Sequence, residues 1–295
     1  HHFASDNTAG ICPEAWTALQ GANVGREASY GDDPWTAEAE NAFNDLFGQQ
    51  VSTFMVWNGT GANVLALATL LSPAGAVVCT DASHINVDET GAPERILGAK
   101  LIDVPAIKGK MTPDQVLNLQ HFIGVVHHVQ PSVLSITQST EWGTLYTPNE
   151  IGALCDAAHS LGMKVHLDGA RIANATAALG GTQQALKSFT VDAGVDVISF
   201  GGAKNGMMYG EAVIYLDPEL ARSAPYVRKQ VTQLPSKVRY ISAQFSALLA
   251  DDLWIKNARH ANAMAALLRT TLENMIAAGE APRSSSEIRW PDAMA

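Results

Sequence analysis

The chain has 295 residues and a formal charge of −10, with 47% hydrophobic and 16% charged residues, the balance of a folded protein with a sizeable core. That acidic balance excludes a general nucleic-acid binder, which needs basic patches to displace counterions, and leaves any anionic ligand to be held by local groups. Three widely spaced cysteines, Cys12, Cys79 and Cys155, form no CxxC pair, so a disulfide scaffold or a metal module is not expected and a reducing, cytoplasmic setting is.

Taken in chain order, short β-rich apolar runs occur at residues 53–57, 76–80, 100–104, 133–137, 164–167 and 195–200. The longest apolar run, roughly 62–71, is broken by Asn63 and Thr69 and is too short to span a bilayer, so no membrane partner is expected. A helix is predicted over 148–161, where Ile151, Leu154, Cys155, Ala158 and Leu161 recur at helical spacing. Thr147 and Glu150 have capping-box spacing, Pro148 fits the first helical position, and Gly162 suits the stop. The segment from Thr112 repeats the Thr-Pro start. Strands alternating with helices imply right-handed crossovers and a mainly parallel sheet. Residues 211–216 follow Lys204 too closely for a crossover helix, so that strand is expected to pair antiparallel. From Ser242 to Ala278 the composition is strongly helical, and the stretch after about residue 280 has turn composition.

In open α/β sheets ligands bind beyond the carboxyl ends of parallel strands, so the residues after each strand carry the functional information. After the first run comes Asn58-Gly59-Thr60-Gly61-Ala62-Asn63, leading into a helix. Free N–H groups and the positive end of the helix dipole suit a phosphate there, although a plain Gly-rich turn accounts for this stretch equally well on its own. After 164–167 comes Asp168, a carboxylate that needs a cation or donor, or that simply pairs with Arg171 in a turn. After 195–200 comes Gly201-Gly202-Ala203-Lys204-Asn205-Gly206, a lysine among small residues, which suits a Schiff-base nucleophile as well as an ordinary surface group. The separation of Asp168 and Lys204 suits neighbouring strands joined by one crossover. A phosphate cradle, a carboxylate and a lysine on one sheet edge are the set that pyridoxal 5′-phosphate requires, and His84, after the 76–80 run, adds a ring at the same edge.

These residues resemble the threonine aldolase family of pyridoxal-phosphate enzymes, within the fold-type I (aspartate aminotransferase-like) group. The resemblance rests on Phe3-Ala4-Ser5-Asp6-Asn7, Tyr30-Gly31-Asp32-Asp33-Pro34, Asn58 to Asn63, Ser83-His84-Ile85, His166-Leu167-Asp168-Gly169-Ala170-Arg171, and Ser199 to Gly206, in family order. Ala203 stands where relatives commonly carry threonine. The resemblance implies an α/β fold: a mostly parallel seven-stranded sheet with helices on both faces. It further implies an N-terminal arm over 1–15, a large cofactor-binding domain over 16–245, and over 246–295 the helical start of a C-terminal small domain that looks truncated, with Arg289 a remnant candidate for a second carboxylate-binding arginine.

By the same resemblance Lys204 would be the Schiff-base lysine, Asp168 the partner of the pyridine nitrogen, and His84 the ring against the cofactor and a candidate base. Gly59 and Thr60 would bind phosphate, Ser5 and Arg171 the substrate carboxylate. Tyr30 would lie in a loop reaching a neighbouring subunit's site, and Arg228, Lys229 and Lys237 would send cations across the interface to the phosphate. His128 is a second candidate base. The implied activity is cleavage of L-threonine, L-allo-threonine or related β-hydroxy-α-amino acids to glycine and an aldehyde, in a homo-oligomer (dimer or tetramer) with sites shared across the interface. Another lyase reaction or a glycine-transferring transaldolase on the same fold is the alternative. A base histidine in either case should be neutral near pH 7.

Overall fold

Strands buried on both faces read as continuous apolar runs, and the runs found in the sequence assemble into one seven-stranded sheet. The structure is a computed structural model, described here for residues 5–279; Phe3, Ala4, Arg289 and the rest of 280–295 lie outside the described residues. The strands are β1 (Ser52–Val56), β2 (Gly75–Thr80), β3 (Lys100–Val104), β4 (Gln130–Thr137), β5 (Lys164–Gly169), β6 (Val197–Gly201) and β7 (Glu211–Tyr215). Their order is β1-β7-β6-β5-β4-β2-β3, parallel throughout except for β7, which runs antiparallel to both β1 and β6. The expected antiparallel strand is thus inserted between two parallel ones.

Two boundaries differ from expectation, each for a visible reason. β4 starts at Gln130, three residues before the apolar run, because a register shift between Ala76 and Val77 of β2 accommodates Pro131, which has no N–H to give the ladder. β6 starts at Val197 because Asp196 turns its carboxylate back onto the Val165 N–H at 2.8 Å.

Side chains alternate across the sheet. Val213 and Tyr215 of β7 join the face covered by the Gly59–Leu70 and Ala224–Val231 helices, together with Leu65 and Ala66. Ala212 and Ile214 join the larger core on the opposite face, with Phe43, Phe47, Leu154, Phe245 and Trp254. The Pro148–Ser160 helix starts as its capping box dictates: Thr147 Oγ1 accepts from the Glu150 N–H at 3.2 Å, Glu150 Oε2 accepts from the Thr147 N–H at 2.7 Å, and Gly162 follows in the left-handed region with φ 76°. The segment from Thr112 forms only a short helix, Pro113–Leu117. The helical stretch after Ser242 is two helices, Arg239–Leu249 and Leu253–Ala278, broken where Asp251 and Asp252 take positive φ. The second is buried only at its start, through Trp254, Ile255 and Ala258. Among the described residues no helix is long and apolar enough to cross a membrane.

Candidate active site

Four strand ends, those of β1, β5, β6 and β2, converge on the carboxyl edge of the parallel sheet, and each delivers its groups by a different local device. β1 leads into the Gly59–Leu70 helix through Asn58, whose Oδ1 accepts from the Gly61 N–H at 2.8 Å. The Gly59 and Thr60 N–H groups have no acceptor among the described residues, and a Cβ built on Gly59 would meet no atom within 4 Å. The helix therefore presents two free donors and a bare backbone to open space, a cradle that a side chain at residue 59 would fill.

β5 ends in Asp168, which is 4% exposed. Its Oδ1 accepts from the Ala170 N–H at 3.0 Å and its Oδ2 from Asn63 Nδ2 at 2.9 Å. The pairing of Asp168 with Arg171 is not what forms. Arg171 turns instead to the N-terminal arm, donating from Nε and Nη2 to the two Asp6 carboxylate oxygens at 2.7 and 3.1 Å.

Lys204 lies on the short turn Ala203–Asn205 after β6. Gly201 is required there: a Cβ on it would sit 2.2 Å from the Ala170 carbonyl, so only glycine lets the Asp168 and Lys204 loops touch. Glu211 pins this turn from the start of β7, its Oε2 accepting from the Gly202 N–H at 2.7 Å. Complete burial pushes the Glu211 carboxyl up to about 8. Lys204 makes no ion pair with a described residue.

His84 follows β2 and is held twice. Its main-chain N–H donates to Glu141 Oε1 at 2.7 Å, and its ring Nδ1 lies 2.9 Å from Glu89 Oε1. The hydrogen bond to Glu89 raises the proton affinity of His84, the opposite direction from the neutral base expected of it. Burial, reinforced by Asp168, also raises that of Glu141. Behind them His166 is wholly buried between Ser135 Oγ at 3.0 Å and Ser199 Oγ at 2.9 Å, and burial lowers it to about 4, so it is uncharged.

These groups enclose a cavity of about 280 Å³ that Gly59, Thr60, His84, Asp168, Arg171 and Lys204 all line. The other sequence candidates lie elsewhere in this chain. Ser5 is exposed on the arm, its Oγ engaged by the Asn7 N–H at 3.2 Å; Asn7, not Ser5, reaches the cavity. Tyr30, held by its N–H on the Ser236 carbonyl at 2.9 Å, lies under Lys229 Nζ at 4.7 Å from its ring. Arg228 folds onto its own β1, over the Phe54 ring at 5.2 Å, and Lys237 is exposed. None of these five candidates, Ser5, Tyr30, Arg228, Lys229 and Lys237, lines the cavity.

His128 is a correction. It packs on Phe122 with ring centroids 5.1 Å apart, just before the amino end of β4, so the whole strand, roughly 25 Å, separates it from the carboxyl edge. It does not belong to this chain's cavity. Conversely, Asn63, Glu89, Glu141 and Glu211 enter the site without having been singled out. The usable signal was a polar residue breaking an apolar run, as Asn63 does. Among the described residues no group of three or more His, Cys, Asp or Glu is placed to hold a metal ion.

Known proteins similar to this chain identify its family. The family model described as beta-eliminating lyase matches residues 2–288. The low specificity L-threonine aldolase of a Pseudomonas species is 43% identical over 274 residues, covering 92% of this chain and 78% of that protein. Its Pseudomonas aeruginosa counterpart is 44% identical, covering 90% and 76%. The solved Leishmania major threonine aldolase superposes with a TM-score of 0.87 at 30% identity, covering 92% of this chain and 79% of that one. Aspartate aminotransferase from Thermus thermophilus, at 17% identity and a TM-score of 0.69, shares the fold. The family match over residues 2–288, together with these relatives, thus places the chain in the beta-eliminating lyase family.

Proposed function

We propose that this chain is a pyridoxal-phosphate-dependent aldehyde-lyase that splits L-threonine, L-allo-threonine or related β-hydroxy-α-amino acids into glycine and an aldehyde. The observation that carries it is the convergence of Lys204, Asp168 and the free Gly59 and Thr60 N–H groups on one cavity. The residues fit the cofactor: an unpaired lysine for its aldehyde, a buried ionisable carboxyl for its ring nitrogen, and a bare helix start for its phosphate. The names of the Pseudomonas and Leishmania relatives support the same reaction.

When bound, the cofactor supplies an electron sink for the electron pair released as Cα–Cβ breaks. The chain supplies the rest. Asp168 is kept as an acceptor by Asn63 and Ala170, so a protonated ring nitrogen is what it would hold. Arg171 offers its remaining N–H edge to a substrate carboxylate while Asp6 fixes its plane. The β-hydroxyl must lose a proton for its oxygen to become a carbonyl, and Cα must gain one to complete glycine. His84, Glu141 and Glu211 are titratable groups on the cavity wall with raised proton affinity, which suits that exchange. Outside the cavity, Tyr30, Lys229 and the nearby Lys237 form a patch that supports a homo-oligomer, dimer or tetramer, sharing sites between copies. Three unbridged cysteines support a cytoplasmic location.

The test is to incubate the holoenzyme with threonine and, separately, β-chloroalanine, measuring acetaldehyde plus glycine and pyruvate plus ammonia. Acetaldehyde with glycine is expected; pyruvate alone would shift the assignment to β-elimination, the reaction in the family's name. Borohydride reduction followed by peptide mass spectrometry should find the cofactor on Lys204, and unmodified Lys204 would overturn the assignment.

A further inference from the structure

Asn63 occupies a place where neither helix propensity nor burial favours asparagine. It sits one turn into the Gly59–Leu70 helix, 2% exposed, beside Ala62, Val64, Leu65, Ala66 and Leu67. A buried amide persists there only if its hydrogens are used. Both are: Nδ2 donates to Glu89 Oε1 at 2.9 Å and to Asp168 Oδ2 at 2.9 Å. Glu89 Oε1 in turn meets the His84 ring at 2.9 Å, so an unbroken chain of contacts runs from the histidine to the carboxylate at the end of β5.

We propose that Asn63 is a positioning residue whose amide clamps the Glu89 and Asp168 carboxylates as ionised acceptors and, through Glu89, sets the orientation and charge of His84. The chemistry permits little else. An NH₂ group donates twice and accepts nothing, so it selects the deprotonated form on each side. The reverse amide orientation would set Oδ1 against two carboxylates and require both to be protonated. The Glu89 side chain is fully buried and its Oε2 has no donor among the described residues, so its charge is balanced chiefly by His84, the cation-forming group in contact with it. The groups facing His84 from each neighbouring element are Glu89, Asp168 at the end of β5, Glu141 on its main-chain N–H, and the opposing cation Lys204 after β6. Carboxylates outnumber the cation, so His84 is held towards its charged form.

The role towards the cofactor rests on the proposed function; the clamp itself is tested without turnover. In the cofactor-free chain, the His84 ring is titrated by NMR, with His84→Asn for assignment, in wild type, Glu89→Gln, Asn63→Leu and Asn63→Ser. Pyridoxine 5′-phosphate, which has no aldehyde to react with Lys204, is the binding probe for the Asp168 end. Glu89→Gln should lower the His84 midpoint. Asn63→Leu should raise it by at least about half a unit, because Glu89 loses a donor and its charge falls harder on the imidazole. The same variant should bind pyridoxine phosphate at least about tenfold more weakly, because Asp168 loses its orienting bond. If Asn63→Leu does not fold, Asn63→Ser decides: one hydroxyl hydrogen cannot serve two carboxylates, so at least one readout must move. A folded Asn63 variant with both readouts at wild type would overturn the clamp. Failure of wild type to bind the probe would strike the cofactor assignment instead, leaving the histidine titrations to decide the clamp.

Discussion

Two histidine–carboxylate pairs sit at opposite edges of the same sheet, built alike and finished differently. At the amino edge His159 Nε2 meets Asp196 Oδ2 at 2.8 Å; at the carboxyl edge His84 meets Glu89 at 2.9 Å. The Asp196 carboxylate is complete: Lys164 Nζ donates to Oδ1 at 3.1 Å, and the Val165 N–H donates to Oδ2 at 2.8 Å. Glu89 receives both of its contacts on one oxygen and leaves the other, buried, with no donor among the described residues. A carboxylate used to fasten strands satisfies both oxygens. One built into a reaction site tolerates an imbalance that folding alone would not select.

That contrast can be broken by mutation. The largest effect belongs to Lys204→Ala, which should lower lyase activity at least about a thousandfold while leaving the thermal midpoint near that of wild type. Steady-state aldehyde release and calorimetry check both halves. Glu89→Gln should cost on the order of a hundredfold in kcat/KM, through the loss of the charge that holds His84, with stability at or above wild type. A stability loss comparable to that of an Asp196 variant would erase the distinction between the two edges.

Glu211 gives a pH signature at the carboxyl edge. Its carboxyl binds a proton more tightly when folded, at about 8, than at its ordinary 4.5. The associated stabilisation is therefore full below about 4.5 and is lost as pH rises through about 8. Glu211→Gln cannot lose it, so in the cofactor-free chain the variant should gain on wild type across that window by a few kcal/mol, read from denaturant melts at stepped pH. A constant difference between the two proteins would show that Glu211 does not titrate there. At the amino edge, Asp196→Ala should cost about 2 kcal/mol and leave kcat unchanged, since the Val165 N–H loses its acceptor far from the cavity. Smallest of all, Thr147→Ala should remove about 1 kcal/mol with the capping box, measured the same way.

Much of this architecture is legible in the sequence because strands buried on both faces advertise themselves as apolar runs, and helices between them carry caps such as Thr147-Pro148 and Glu150. Lys204, Asp168, His84 and the Gly59 turn are legible too, since each directly follows such a run. What stayed hidden is what supports them. Glu211 opens the strand Glu-Ala-Val-Ile-Tyr and looks like an ordinary polar strand end until the antiparallel insertion puts it under the lysine turn. Glu89 lies in a loop whose burial no local pattern announces. His128 shows the reverse error: a histidine near a strand is informative only once it is known which end of the strand it flanks.

The insertion of β7 has a temporal consequence. β1 leads directly into the Gly59 turn, yet among the described residues its only sheet partner is β7, which leaves the ribosome about 160 residues later. Until then β1 has an unfilled edge on both sides, although the Gly59–Leu70 helix that follows it packs on β4, β5 and β6 as well as on β7. β1 can therefore join the sheet only once β7 has been made, and the last part of the edge to be seated is the one that leads into the Gly59 turn.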